Sequence, residues 1–279
     1  MESKMNKLLL LLTYFSLTFF PAVGQHEQIA QIEDLIDRQQ YEKGLEIIDQ
    51  IISKHPTSIA YYYKAYCEQQ KKLFEAATVS ASLALKTTTK TDTLYTRILF
   101  LRSFCYAHAG QLNLAIADNE TLLKQFPNDL HYLLNMSFLY GENQQFDDCM
   151  KTLRQALTLD SSNIQILNNL SYYSNQSSKY GDAIKYSVKG LTLAKDSVWV
   201  ASLLNSLGFA QAKSISVDKG LQTIKQSISY GPNNPYAFFN LGLIYLDKKE
   251  IEEACKNFKI ARQLGGINLT TEYIKQYCN

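Results

Sequence analysis

Residues 235–266 read PYAFFNLGLIYLDKKEIEEACKNFKIARQLGG. Phe238, Leu241, Gly242 and Tyr245 follow one another at spacings of three and four, and so do Ala254, Phe258 and Ala261 further on. At 3.6 residues per turn, each set falls on one helix face, so the segment predicts two consecutive amphipathic helices.

The same arrangement recurs upstream. A small residue and a second anchor seven positions later align as Gly44/Ile51, Ala77/Ala84, Ala115/Leu122, Cys149/Ala156, Ala183/Gly190, Gly220/Ser227 and Ala254/Ala261. The first members are separated by 33, 38, 34, 34, 37 and 34 residues. Twelve positions before them stand Ile32, Ala65, Ser103, Ser137, Ser171, Gly208 and Gly242, a spacing that never changes. Every length change therefore falls between repeats, and the constant part is a helical hairpin. Except for Ile32, the paired positions twelve apart hold Ala, Gly, Ser or Cys. Larger side chains would separate the two helices where they approach most closely. Ile32 belongs to a terminal repeat, which lacks one neighbour, so unusual packing is expected there.

With these residues in view, the chain resembles the tetratricopeptide repeat family, whose unit is a helix-turn-helix of about 34 residues. The resemblance runs from about Gln25 to Gly265, and Pro56, Pro127 and Pro232 stand at the family's inter-repeat proline position. It implies an all-α fold, a right-handed α-solenoid of about seven repeats with a C-terminal closing helix. The expected repeats are 25–57, 58–91, 96–129, 130–163, 164–197, 201–234 and 235–266, with the closing helix at 268–278. Extra residues at 86–93 are expected to widen the second connection and those at 195–199 the sixth repeat's entry, with Trp199 expected to pack as core in the lengthened helix.

Ahead of the repeats, Lys4 and Lys7 precede an apolar run from Leu8 to Phe20, followed by Pro21 and Ala22-Val23-Gly24-Gln25. This is the layout of a secretory signal peptide, and the run is shorter than the roughly 20 residues a membrane-spanning helix needs. Residues 1–24 are expected to be removed after Gly24, leaving residues 25–279 as an exported protein, periplasmic or secreted, with no stable membrane span. A total of 28 basic against 26 acidic residues leaves a formal charge of +2, which argues against a nucleic-acid partner.

All five cysteines lie in the mature chain, and an oxidising compartment makes pairing chemically accessible, although an odd number leaves at least one free. Cys149 holds a small packing position and is expected as a buried thiol; Cys67 and Cys105 hold equivalent positions in adjacent repeats and are not assigned as reactive. The segment from Ala254-Cys255 to Tyr277-Cys278 looks like the tail of many bacterial secreted tetratricopeptide repeat proteins. That resemblance implies a Cys255–Cys278 disulfide, which would pin the closing helix over the end of the solenoid.

The chain contains no H-E-x-x-H, G-x-S-x-G, phosphate-binding G-x-x-x-x-G-K-[ST] or C-x-x-C motif, so a non-catalytic protein without cofactor or metal is expected. His108 and His131 read as solvated or hydrogen-bonded histidines rather than as a metal pair.

What remains is the inner face, which the resemblance assigns to the first helix of each repeat. Its fifth positions are Ile29, Tyr62, Phe100, Leu134, Asn168, Asn205 and Phe239; its ninth are Glu33, Tyr66, Phe104, Phe138, Tyr172, Phe209 and Leu243. Four residues make one turn, so the two columns form an aromatic stripe interrupted by two amides. The candidate binding residues are Tyr62, Tyr66, Phe100, Phe104, Phe138, Asn168, Tyr172, Asn205 and Phe209. The rings could equally be core, buried where inner helices pack on one another. Asn135, Asn169 and Asn240 form a further column read as generic to the family. The expected function is a scaffold binding a protein or extended peptide; the alternative is a glycan-binding module, with Tyr62, Tyr66 and Tyr172 stacking on sugars. Truncating Phe104 or Phe138 is expected to weaken partner binding without unfolding the chain.

Overall fold

The first helix of most repeats starts at a side-chain cap. Thr57, Asp92, Asp129, Asn163, Asp196 and Asn234 each accept a backbone N–H from the first turn of the helix that follows. These residue types satisfy donors that a helix cannot satisfy internally, so each cap marks a start in the sequence. The structure is a computed structural model describing residues 27–265 and 268–278, so the expected signal peptide at 1–24 lies outside the described residues.

Among the described residues there are fifteen helices and no strands. The chain divides at Gln125/Phe126 into two compact units. The first contains α1 (27–37), α2 (Tyr41–Lys54), α3 (Ser58–Gln70), α4 (Phe74–Thr87), α5 (Thr93–His108) and α6 (Leu112–Gln125). The second contains α7 (Leu130–Glu142), α8 (Phe146–Leu159), α9 (Ile164–Gln176), α10 (Tyr180–Leu193), α11 (Ser197–Ser214), α12 (Val217–Tyr230), α13 (Pro235–Asp247), α14 (Ile251–Gln263) and α15 (Asn268–Tyr277). Within each unit, consecutive helices pack as hairpins.

The connection to α5, residues 88–92, is the longest between repeats, as expected, while that to α11, residues 194–196, is not widened. The extra residues go mostly into the helices, which reach 16 residues in α5 and 18 in α11. The cause is local: Asp92 and Asp196 accept from Leu94 and Val198 N–H at 2.8 and 2.7 Å, and so start both helices early. Trp199, in the added turn of α11, is half-buried rather than core.

Inside every hairpin but α11–α12, the turn uses one left-handed residue. Gln39, Lys72, Gly110, Gln144, Ser178 and Lys249 have φ between 56° and 74°, and only Gly110 is a glycine. The small positions twelve apart then come together. Ser103 Oγ donates to the Ala115 carbonyl at 2.9 Å, and Ser171 Oγ to that of Ala183 at 3.0 Å. At Gly208 and Gly220 the backbones themselves touch: a Cβ on Gly208 would stand 2.9 Å from the Gly220 oxygen. Ile32, the exception in sequence, is fully buried among Ile48, Ile51, Ala60 and Cys67.

The first unit also buries charge. Arg102 and Asp118 form a two-pronged pair at 2.7 and 2.6 Å, and Arg102 also donates to Ser82 Oγ at 3.0 Å, linking α5 to α6 and α4. Cys67, Cys105 and Cys149 are buried free thiols, pushed up by burial to about 11, 12 and 12. In the second unit Cys255 of α14 and Cys278, one residue beyond α15, stand sulfur to sulfur with Cα atoms 5.4 Å apart. Tyr273 of α15 packs there on Phe239 and Phe258, with ring centroids at 5.5 and 5.3 Å.

Candidate functional site

The nine candidate residues fall in three hollows, one in the first unit and two in the second. In the first unit, Tyr62, Tyr66 and Gln69 of α3 face Arg97, Phe100, Leu101 and Phe104 of α5 across about 350 Å³. Neither sequence alternative, groove or core, describes these rings alone. Tyr62, Tyr66 and Phe104 back onto the cluster of Ala65, Ala77, Ala81 and Ile98 while still lining the hollow. Burial raises the Tyr62 phenol above its ordinary range, opposed by the Arg97 charge. Phe104 is held further, with Phe74 at 6.3 Å and His108 at 4.2 Å between ring centroids.

In the second unit the lining is more exposed and richer in amides. Phe138 and Glu142 of α7, Asn168, Asn169 and Tyr172 of α9, Asn205 and Ser206 of α11, and Tyr236 of α13 surround a cleft of about 280 Å³. A neighbouring cleft of about 270 Å³ lies between α9, α11, α13 and α15, with Tyr172, Asn175, Asn205, Phe209, Tyr236 and Tyr273 among its lining. Tyr172, Asn205, Ser206 and Tyr236 belong to both. Tyr172 meets Tyr236 edge to face, and this contact forms the wall between the two clefts. Phe138 and Tyr172 are 45% and 39% exposed, so ring surface is open to a ligand. Phe209 is half-buried against the cluster of Leu221, Ile224 and Leu241, with the Lys213 ammonium 5.5 Å from its ring centre.

The two amides differ. Asn205 is 6% exposed and its Oδ1 accepts from Asn240 Nδ2 at 3.0 Å. Asn240, read from sequence as generic, is therefore the partner that orients a candidate residue. Asn168 Oδ1 is buried and has no hydrogen-bond partner among the described residues. Burial raises the Tyr172 phenol, with Tyr236 and Glu142 acting in the same direction.

The sequence reading omitted Arg97, Tyr236, Gln69 and Asn175. They stand at the second and twelfth repeat positions, one turn before and after the columns that were read. Positions 2, 5, 9 and 12 share a helix face, so extending the stripe by three residues in each direction would have found them. His108 lies against Phe74 and Phe104 in the first unit, while His131 is an exposed residue of α7 in the second. Among the described residues no group of three His, Cys, Asp or Glu is arranged to hold a metal ion.

Comparison with known proteins identifies the repeat. The family model described as tetratricopeptide repeat matches residues 130–163 and 235–260, which are the α7–α8 hairpin and most of the α13–α14 hairpin. The fold is similar to a tetratricopeptide repeat protein from Parabacteroides merdae ATCC 43184, with a TM-score of 0.74 at 18% identity, covering 91% of this chain and 98% of that one. It is also similar to the C-terminal part of a TPR repeat-containing protein from Cytophaga hutchinsonii, with a TM-score of 0.64 at 13% identity over 88% and 98% of the two chains. A chain of the APC/C hetero-tetramer Cut9–Hcn1 gives a TM-score of 0.59 at 16% identity; 89% of this chain matches 48% of that one, about half its length. At these identities the likeness is one of fold. No curated protein matches the sequence.

Proposed function

We propose that this tetratricopeptide repeat protein is an exported, non-catalytic scaffold that holds a protein partner through an extended segment laid on the first helices of its second unit. The observation that carries the reading is the pair of clefts on either side of Tyr172 and Tyr236, where exposed rings stand beside amides. Rings supply apolar contact at low ordering cost, and amides offer both a donor and an acceptor to a peptide main chain. Helix packing fixes the rings and amides before binding, so most of the ordering cost falls on the ligand.

Export rests on the charged, apolar and small-residue layout of residues 1–24, with release after Gly24. Among the described residues no helix is long and apolar enough to cross a membrane. A Cys255–Cys278 disulfide fits an oxidising compartment, and the two sulfurs are in position to form it.

Affinity capture from the native cell envelope, followed by mass spectrometry, tests the reading. The wild-type chain should retain a protein that the Phe138→Ala/Tyr172→Ala variant loses. A second reading, glycan binding, is favoured by the open rings of Phe138 and Tyr172 beside Asn168 and Asn169, and by Tyr62 and Tyr66 in the first unit. Binding on a glycan array with no captured protein would select it.

A further inference from the structure

The cleft between α9, α11, α13 and α15 is lined by Asn175, whose side chain holds a buried polar atom without a partner among the described residues. Asn175 is 9% exposed, and its Nδ2 donates to the Ser206 carbonyl at 2.8 Å. That bond fixes which way the amide points, because only the nitrogen can donate. Its Oδ1 is buried and has no hydrogen-bond partner among the described residues. A buried acceptor left this way has lost its water without gaining a partner, a penalty that a ligand bearing a donor would recover.

Around it, part of the lining is engaged and much of it is aromatic. Asn240 donates to Asn205. Lys213 pairs with Asp247 and lies over the Phe209 ring. Tyr180, Phe209, Phe239 and Tyr273 contribute ring surface. The cleft, of about 270 Å³, is open on one side and has room for a ring system.

This inventory selects the ligand chemistry. An apolar ring with a single polar hydrogen matches one free acceptor among aromatic walls. A carboxylate would face the carbonyl oxygen of Asn175. We propose that this cleft receives one tryptophan or tyrosine side chain from the partner's bound segment, its N–H or O–H donating to Asn175 Oδ1. The inference rests on the scaffold reading above and names the residue that anchors the partner. It also gives α15 a role, because Tyr273 and Leu269 of that helix complete the wall.

The test is a titration of the purified full chain, followed by amide NMR, with N-acetyl-tryptophanamide and with its 1-methylindole analogue. The two probes differ in the ring N–H. The first should shift signals around Asn175, Phe209 and Tyr273, and the methylated probe should bind about five- to tenfold more weakly. Asn175→Leu should abolish that difference; if the variant does not fold, the two probes on the wild-type chain still decide. Equal binding of the two probes, no binding of either at millimolar concentration, or shifts produced only by glucose or maltose would each overturn the proposal. If a folded Asn175→Leu chain still captures the partner and the probes do not bind, the anchor is refuted while the scaffold reading stands.

Discussion

The rings of Tyr172 and Tyr236 meet edge to face with centroids 6.5 Å apart, and Asn205 of the intervening helix α11 is left only 6% exposed. First helices two repeats apart thus touch across the one between them. The inner face of the second unit is two clefts with a shared wall, not an uninterrupted stripe. Each ring is more than a third exposed, so Tyr172→Ala and Tyr236→Ala should each cost little stability. A double-mutant cycle by urea unfolding should give a coupling of about 0.5–1.5 kcal/mol, the usual value of an aromatic pair. A coupling near zero would mean the contact does not persist in solution.

Phe138 and Phe104 hold the same repeat position, yet they should respond differently to truncation. Phe138 is 45% exposed, so Phe138→Ala should change stability by less than about 1 kcal/mol while weakening partner capture. Phe104 packs on Phe74, His108 and the core of the first unit, so Phe104→Ala should cost about 2–4 kcal/mol. Chemical denaturation of both variants separates the two. The sequence-based expectation that neither truncation harms the fold should therefore hold for Phe138 and fail for Phe104.

Glu68 makes the first unit sensitive to pH. It is 7% exposed, and burial holds its carboxyl above the usual carboxylate range, against the opposing effects of the Ser80 hydroxyl bond at 2.7 Å and Lys64; Asp49 adds to the rise. A raised acid favours the folded state's protonated form. Below the ordinary carboxylate value both states are protonated and there is no penalty; the penalty grows as pH rises through the folded value. Glu68→Gln, which keeps an acceptor for Ser80, should therefore raise the melting temperature at pH 7 and converge with wild type near pH 4. A larger gain at pH 4 than at pH 7 would contradict this sign.

Two glycines should behave in opposite ways. A Cβ on Gly208 would press on the Gly220 oxygen and the Ile224 nitrogen, both at 2.9 Å, and backbone cannot move aside as a side-chain end can. Gly208→Ala should cost about 1–3 kcal/mol or more. A Cβ on Gly181, in the first turn of α10, would meet nothing within 4 Å. Gly181→Ala should stabilise by up to about 1 kcal/mol. Thermal unfolding of the two variants gives both signs.

The proposed bridge predicts a thiol count. Denatured exported protein should show three reactive thiols, from Cys67, Cys105 and Cys149, and five would refute the bridge. Native protein should react slowly, because the three are buried and their thiols are pushed up to about 11, 12 and 12. The Cys255→Ser/Cys278→Ser variant should lose about 3 kcal/mol in the chain-entropy model.

The hairpins were legible because their determinants are local. A small residue at position 103 and another at 115 imply two helices in contact, and in the structure Ser103 does donate to the Ala115 carbonyl. Phe138 and Tyr172 were legible as lining for a similar reason: one helix face carries them. The contact between Tyr172 and Tyr236 was not, because it depends on how far α9 and α13 lean together over α11. The early starts of α5 and α11 turn on Asp92 and Asp196, residues whose capping chemistry is visible in the sequence. Nor could a linear pattern show that Asn240 would orient Asn205 while Asn175 would be left with an unpaired carbonyl.

The serine clasps that close the hairpins at Ser103 and Ser171 use a side chain and a carbonyl from the same repeat. Such a module carries its own fastening, so copying or deleting it leaves its neighbours' fastenings in place. The exposed rings of Phe138 and Tyr172 stand at other positions, so changing them leaves these clasps untouched.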